Sequence, residues 1–203
     1  MRKAEHLKGN LNVVCSLQIP LPQLKNNQKS LIVYWKKTNV GWVKLNIDRA
    51  SRGNPGTSGA GGIVRNHMGQ VLFAFTEPLG ITNNIVAKLK ALLRGLQLCT
   101  KKGFTRIWIE LDALHVIRLI SSQNIGSWYL QSDIQKIRFY LAQLETKISH
   151  IILEGNQAAD FLANQACATD NPSILFNEQL QDKLAGTIKL DALCLPYIRS
   201  VVT

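Results

Sequence analysis

Three aspartates, Asp48, Asp112 and Asp160, lie at the ends of predicted strands or near the start of a predicted helix, where their carboxylates could come together. Asp48 and Asp112 each end a stretch of alternating apolar and polar residues, at 42–48 and 106–112, which is the pattern of a half-buried strand. A carboxylate that ends a strand beside a glycine-rich turn is a typical metal or phosphate site. The ordinary alternatives are a surface aspartate at a hairpin for Asp48 and a residue favoured by the helix dipole for Asp160.

The elements between the aspartates predict how they are brought together. Strands are expected at residues 42–48, 60–65, 70–76, 106–112 and 147–153, and helices at 113–121, 131–145 and from a cap at Asn156 to 168. A further helix between the third and fourth strands begins at a cap on Asn83 or Asn84 and stops at Gly103. This helix is long enough for a crossover, so the fourth strand should run parallel to the first and beside it. Asp48 and Asp112 would then lie at the same edge of the sheet.

The charge balance indicates an anionic partner. The 203-residue chain has a formal net charge of +11, which is typical of proteins that bind nucleic acid, although solubility alone is an alternative reason for it. Residues 1–41 carry seven Lys and Arg against one acid, residues 42–168 fourteen against eight, and residues 169–203 three against four. We therefore expect an irregular basic connector at 1–41, a domain at 42–168 and a C-terminal tail at 169–203.

Cysteine spacing and hydropathy predict the compartment. Cys15, Cys99, Cys167 and Cys194 are far apart and form no C-x-x-C pair, so we interpret them as reduced thiols. No stretch approaches eighteen consecutive apolar residues, so no membrane span is expected. Polar residues interrupt the apolar run near the N-terminus, which argues against a secretory signal. An intracellular, non-secreted protein is expected, with nucleus and cytoplasm both open.

Three segments together resemble the RNase H type 1 family, and in particular its plant reverse-transcriptase-like branch, which includes copies in non-LTR retrotransposons. They are residues 44–56 (KLNIDRASRGNPG), 110–112 (ELD) and 154–163 (EGNQAADFLA). The first and last are distinctive in composition and order. The resemblance implies an α/β, RNase H-like three-layer fold with a five-stranded mixed sheet. Strands 1–3 would form antiparallel hairpins, strands 4 and 5 would run parallel to strand 1, and helices would flank the sheet.

The same resemblance implies a chemistry. Family members hydrolyse the RNA strand of an RNA–DNA hybrid with two Mg²⁺ ions held by four carboxylates, because Mg²⁺ requires hard oxygen ligands. Asp48, Asp112 and Asp160 match three of the four, so they are the expected catalytic and metal-binding residues. By family analogy a monomer would bind nucleic acid, an RNA–DNA hybrid or double-stranded RNA, through six residues: Arg49, Ser51, Arg52, Asn54, Asn83 and Asn84.

Two positions depart from the family pattern. Where the family has its fourth carboxylate, a glutamate early in the crossover helix, this chain has Lys88, and Arg49 replaces the usual glycine. At ~5 Å and an effective dielectric of ~20, an ammonium and a divalent ion repel by roughly 6 kcal/mol before screening. Mg²⁺ is therefore expected to bind more weakly here than in other members of the family. The ammonium can instead pair with Asp48 or Asp112 and neutralise the site.

The residues leave several functions open. The chain could be an RNase H fold with weak or no hydrolysis, which Lys88 favours. It could be an active nuclease that holds metal with three aspartates and an additional water. It could be a nucleic-acid-binding module without chemistry, in which Lys90 and Arg94 add positive charge, or a decayed mobile-element fragment.

Overall fold

The computed structural model describes residues 28–122 and 127–202, so the predictions made for residues 1–27 lie outside the described part of the chain. The described strands are β1 Gln28–Val33, β2 Val43–Gly53, β3 Gly56–Arg65, β4 Val71–Thr82, β5 Arg106–Leu111, β6 Glu145–His150, β7 Ser173–Leu175 and β8 Tyr197–Val202. The described α-helices are α1 Asn84–Lys101, α2 Leu114–Ser121, α3 Gln131–Ala142, α4 Gln157–Ala166 and α5 Asp182–Ala192.

The main sheet has the strand order β6-β5-β2-β3-β4-β7. Strands β2, β3 and β4 pair antiparallel, whereas β5 runs parallel to β2 and β6 runs parallel to β5. This confirms the α/β fold with a mixed sheet. The expected five strands become six because the short strand β7 pairs antiparallel with residues 74–76 of β4. A separate two-stranded sheet joins β1 to β8.

The first strand does not end at Asp48 as expected, because β2 continues to Gly53 and β3 begins at Gly56. The pairing of β2 with β5 stops at Asn46, whereas its pairing with β3 continues through the hairpin. Asp48 therefore lies just beyond the parallel pairing, where β2 keeps β3 as a neighbour but no longer pairs with β5. The fifth strand is also displaced, since β6 ends at His150 and a short 3₁₀ turn follows at Leu153–Gly155.

One face of the sheet packs against α1. Leu45 and Ile47 of β2 are fully buried and belong to the same apolar cluster as Leu89 and Leu92 of α1. Gly95 lets the helix approach closely, because a Cβ at this position would lie 2.8 Å from Leu45 Cδ2. This close packing fixes the position of α1 relative to β2, and with it the position of Lys88.

The opposite face packs against α4 and α5. Ile63 of β3 and Ala74 of β4 form a second buried cluster with Leu162, Leu184 and Ile188 of these helices. The segment expected as a C-terminal tail therefore contributes both β7 and α5 to the folded structure. Two helical layers enclose the sheet, which is the three-layer arrangement expected from the resemblance.

Candidate active site

Asp48 and Asp112 lie close together at the edge where β2 and β5 stop pairing, and Lys88 lies between them. Lys88 Nζ donates a hydrogen bond to Oδ1 of each aspartate. Lys88 and Asp48 are only 4% and 3% exposed, and the side chain of Asp112 is 24% exposed. Burial of both partners in the Asp48–Lys88 pair means that water screens its attraction weakly.

The start of α1 fixes the position of Lys88. Asn83 precedes the helix, and its Oδ1 accepts a hydrogen bond from the Val86 backbone N–H at 2.9 Å. A side-chain acceptor at this position satisfies one of the unpaired amides of the first turn and defines where the helix begins. Position 88 then falls in the second turn, on the buried face of α1. Of the two predicted caps, Asn83 is the one that the structure confirms.

Asp48 has two further polar partners. Its Oδ1 accepts from the Arg49 backbone N–H at 2.6 Å, and its Oδ2 accepts from Asn156 Nδ2 at 3.3 Å. Asn156 is the N-cap residue of α4 as expected, but its side chain makes no capping hydrogen bond, because its Oδ1 accepts instead from Asn46 Nδ2 at 3.3 Å. Its Nδ2 donates to Ile47 O, at 3.0 Å, and to Asp48. Burial raises the pKa of the Asp48 carboxyl above its ordinary value, and the Lys88 ammonium opposes that effect.

Asp160 lies in the first turn of α4, at the margin of this cluster. Its Oδ1 accepts from Asn164 Nδ2 at 3.0 Å. Partial burial raises the pKa of Asp160; the hydrogen bond from Asn164 lowers it, and the negative charge of Asp112 raises it further. Asp160 is therefore within electrostatic range of Asp112 and Lys88, while its hydrogen bonds are made within its own helix.

The donor set does not fit a pair of divalent ions in this arrangement. Oδ1 of Asp48 and Oδ1 of Asp112 both accept from the Lys88 ammonium. Among residues 28–122 and 127–202, no group of three or more His, Cys, Asp or Glu side chains is arranged to hold a metal ion. A cation is already present where the resemblance implies a fourth carboxylate.

The hairpin residues predicted to bind nucleic acid lie beside the start of α1. Arg52 and Asn54 are exposed near the hairpin tip, and Asn54 Oδ1 accepts from the Asn84 backbone N–H at 3.2 Å. This contact joins the hairpin to the helix. Asn84 Oδ1 is buried and has no hydrogen-bond partner among the described residues. These residues thus form one surface next to Lys88, Asp48 and Asp112, which we call the Lys88 cluster.

Ser51 and Arg49 are less exposed on this surface than Arg52. Ser51 Oγ donates to Gly53 O at 2.6 Å and accepts from Ser58 Oγ at 3.0 Å, so it stabilises the hairpin. Arg49 is partly buried. The charges of Arg52 and Arg49 act on Cys167, where they oppose the burial that raises the pKa of its thiol. The hairpin therefore brings positive charge close to the end of α4.

A buried polar network on the same sheet face was not predicted. Lys44 is fully buried, and its Nζ lies 2.7 Å from Glu110 Oε2 and 2.6 Å from the Lys36 carbonyl oxygen. The ammonium lies 4.8 Å from the centroid of the Trp35 ring and 3.8 Å from that of Trp108. Burial lowers the pKa of Lys44 to about 8, and the Glu110 carboxylate limits the shift.

Asn46 connects this network to the aspartate cluster. Its Oδ1 accepts from Trp35 Nε1 and from an Arg65 guanidinium N–H, each at 2.9 Å. Its Nδ2 donates to Glu110 Oε2 and to Asn156 Oδ1, each at 3.3 Å. Asn156 in turn contacts Asp48, so hydrogen bonds run continuously from Trp35 to the site.

Arg65 extends the network to the C-terminal segment. Its guanidinium forms a buried ion pair with Asp191 of α5 at 2.6 Å and stacks on Trp35 at 3.7 Å. Tyr197 Oη donates to Asp191 Oδ1 at 2.7 Å. The sequence pattern that could have predicted this network is a matching polar series on adjacent strands, Lys44-x-Asn46-x-Asp48 and Trp108-x-Glu110-x-Asp112. Alternation assigned that series to a half-exposed face, whereas α4, α5 and the segment around Trp35 cover it.

No α-helix in the described ranges is long and apolar enough to cross a membrane. The sequence matches the Reverse transcriptase-like family over residues 46–166. An Arabidopsis thaliana protein named ribonuclease H protein is 32% identical over 136 residues, which are 66% of this chain and 22% of that relative. Ribonuclease HI of Halobacterium salinarum is 30% identical over 132 residues, which are 62% of this chain and 64% of that relative. The chain thus spans less than two thirds of the length of either relative.

Two solved structures have a similar fold. RNase H1 from Halobacterium salinarum has a TM-score of 0.59 and 26% identity, and the match covers 63% of this chain and 98% of that one. LC11-RNase H1 in complex with an RNA/DNA hybrid has a TM-score of 0.58 and 25% identity, with 62% and 96% covered. The expected relation to RNase H type 1 is confirmed, while plant and retrotransposon origin stay predictions. The chain belongs to the Reverse transcriptase-like family and carries an RNase H-like domain.

Proposed function

We propose that this protein binds RNA–DNA hybrids through its RNase H-like domain and hydrolyses them weakly or not at all. The observation that carries the proposal is the Lys88 ammonium between the carboxylates of Asp48 and Asp112. The ammonium acts as an internal counter-ion, because it supplies the positive charge that a metal ion would otherwise bring to these oxygens. The intracellular location and the monomeric state stay predictions from the sequence.

Electrostatics support weak metal binding. A divalent ion within about 5 Å of the ammonium would be repelled by several kcal/mol at an effective dielectric of about 20. Metal entry would also require the Lys88 ammonium to leave two carboxylates and become exposed to water. Because α1 is closely packed against β2 around Gly95, the helix cannot easily move away to relieve the conflict.

Charge and similarity support binding of nucleic acid. The net charge of +11 favours association with phosphates. The exposed hairpin residues Arg52 and Asn54 lie beside the start of α1 and next to the Lys88 cluster. LC11-RNase H1, which was solved with an RNA/DNA hybrid, has a similar fold. An RNA–DNA hybrid is therefore the ligand to test first, with double-stranded RNA as the comparison.

The decisive experiment compares wild-type protein with Lys88→Glu, which supplies a fourth carboxylate. Binding of a labelled hybrid is measured by fluorescence anisotropy in EDTA, and cleavage is measured separately in Mg²⁺ or Mn²⁺. We expect both proteins to bind and Lys88→Glu to cleave at least tenfold faster. Mg²⁺ should also stabilise Lys88→Glu against thermal unfolding by about 1 kcal/mol at roughly five times its Kd, while the wild type gains little.

Lys90→Glu is the matched control. It makes the same charge change two residues along α1, at a side chain that forms no ion pair among the described residues. Cleavage by the wild type at a rate near that of Lys88→Glu would reject the proposal that hydrolysis is lost. If the wild type cleaved the hybrid and Asp48→Asn did not, the wild type would be an active nuclease that uses its three aspartates. A wild-type protein that bound no hybrid would reject the binding function.

A further inference from the structure

The C-terminal helix α5 lies outside the residues that match the family, which end at residue 166. It is nevertheless firmly attached to the domain. Leu184 and Ile188 of α5 are buried against Leu162 of α4, and Asp191 forms its buried ion pair with Arg65 of β3. A helix held by apolar packing at one side and an ion pair near its end presents its remaining side chains in fixed positions.

A polar cleft lies between α4 and α5, next to the aspartate cluster. It has a volume of about 480 Å³ and is lined by Gln157, Asp160, Phe161, Asn164, Gln165, Gln181, Lys183 and Thr187. Side-chain amides, a hydroxyl and an ammonium account for most of the lining. Donors of these types commonly contact phosphate and sugar oxygens of nucleic acids. Because Asp160 belongs to both regions, the cleft is a continuation of the candidate active site.

Lys183 supplies the positive charge of this cleft. Its Nζ lies 5.9 Å from the centroid of the Phe161 ring, and its charge lowers the pKa of Asp160 against the larger effect of burial. Lys183 forms no ion pair with a carboxylate in residues 28–122 and 127–202. The adjacent Asp182 is not part of the cleft lining. The ammonium is therefore exposed toward any anion that enters.

We propose that Lys183, together with the amides of Gln157 and Gln181, contacts the phosphate backbone of the nucleic-acid strand that crosses the Asp48–Lys88–Asp112 site. The inference rests on the proposed binding of RNA–DNA hybrids. A phosphate fits the cleft better than a stacked base, because the Lys183 ammonium already lies over the aromatic ring in the lining. The helix α5 would thus lengthen the binding surface beyond the residues shared with the family.

Two lysines of the same helix provide a matched test. Lys189 is also exposed, but it lines a different cleft, with Gly69 and Gln70 after the end of β3. Hybrid affinity is measured by fluorescence anisotropy across a salt series for the wild type, Lys183→Ala, Lys183→Arg and Lys189→Ala. Loss of one lysine–phosphate contact should reduce the slope of log K against log salt by roughly 0.7 to 0.9.

The expected pattern is specific to position 183. Lys183→Ala should weaken binding by about three- to tenfold at moderate salt and show the reduced slope, since one phosphate contact is lost. Lys183→Arg should keep both affinity and slope, and Lys189→Ala should stay near the wild type. Equal losses in the two alanine variants, or no loss in Lys183→Ala, would overturn the proposed contact. Absence of hybrid binding by the wild type would reject the underlying binding function, and this contact with it.

Discussion

Lys44 and Lys88 are both buried lysines paired with carboxylates, but their surroundings differ. Lys44 is enclosed between the rings of Trp35 and Trp108, and among the described residues it forms an ion pair with one carboxylate, that of Glu110. Aromatic faces attract the ammonium but offer no route for an incoming ligand. This pair is therefore part of the scaffold that holds the segment around Trp35 on the sheet.

Lys88 of α1 also pairs with carboxylates, at an open edge of the sheet. Its partner Asp48 lies four residues after Lys44 in β2. Two carboxylates accept from its ammonium, and one of them, on Asp112, is partly exposed to solvent. Asn156 joins the two regions, since it contacts both Asn46 and Asp48. An ion pair of one type thus serves as scaffold where it is sealed and forms a candidate site where it is open to solvent.

The largest expected effect is from breaking the sealed pair. Lys44→Met leaves the Glu110 carboxylate buried without its cation, so we expect a loss of about 3–5 kcal/mol in the free energy of unfolding. The double variant Lys44→Met/Glu110→Gln removes both charges and should recover at least half of this loss. Urea unfolding followed by circular dichroism measures both. A loss below about 1 kcal/mol in the single variant would show that the pair is not a scaffold element.

Breaking the open pair should cost less and should depend on pH. Lys88→Met leaves Asp48 and Asp112 without their cation, and we expect a loss of about 1–3 kcal/mol at pH 7.5, since water screens Asp112. Burial raises the pKa of Asp48 in the folded state, and removal of the ammonium raises it further. Between the ordinary pKa of an aspartate and this raised value, folded Lys88→Met holds a proton that the unfolded chain has released. The stability of the variant therefore falls as pH rises through this range.

The measurement is urea unfolding at about pH 5 and pH 7.5, both above the ordinary pKa of an aspartate. The loss in Lys88→Met relative to wild type should be smaller at the lower pH. Lys90→Met serves as the control, because Lys90 forms no ion pair among the described residues, and it should change little at either pH. A loss in Lys88→Met of the same size at both values would contradict the role assigned to the ammonium.

The smallest effect concerns the titration of Lys44 itself. Its pKa in the folded protein is lowered to about 8, whereas in the unfolded chain it lies near 10.4. Between these values the unfolded state binds more protons, so the stability of the wild type should rise with pH from about 7.5 to 9, by no more than about 1 kcal/mol. The double variant Lys44→Met/Glu110→Gln should lack this rise.

The comparison with the double variant also removes an opposing contribution. Burial raises the pKa of Cys99 to about 12, so this thiol lowers stability as pH rises above about 9. Both proteins retain Cys99, and the difference between their unfolding free energies therefore reports on the Lys44–Glu110 pair. If that difference did not vary between pH 7.5 and 9, the sealed ammonium would titrate outside this range.

The elements of the central fold were predictable because their signals are local. The alternation in β2 and β5 and the 3.6-residue period of α1 are set by which side chains must face the core. The crossover rule then placed Asp48 beside Asp112. Lys88 was identified from its place in a motif, and the cap at Asn83 sets its position on the helix. These inferences needed no knowledge of the segments that cover the sheet.

The extent of β2 and the role of Asn156 were not predictable in the same way. A glycine-rich stretch is compatible with a loop or with a long hairpin, and pairing with β3 selects the hairpin. Asn156 lies at the start of α4 as the sequence predicts, yet its Oδ1 accepts from Asn46 Nδ2 and not from an amide of the first helical turn. Partners distant in the chain decided both outcomes.

The order of residues alone established the α/β fold class and the convergence of two strand-borne aspartates, because periodicity and chain connectivity are properties of the chain itself. The family resemblance added that Lys88 stands where a carboxylate is expected. Which polar side chains are sealed and which stay open depended on the packing of α4, α5 and the segment around Trp35 over one sheet face. The dielectric around a charge is set by neighbours that only the folded chain assembles. The same lysine chemistry consequently serves as scaffold at position 44 and as part of a candidate site at position 88.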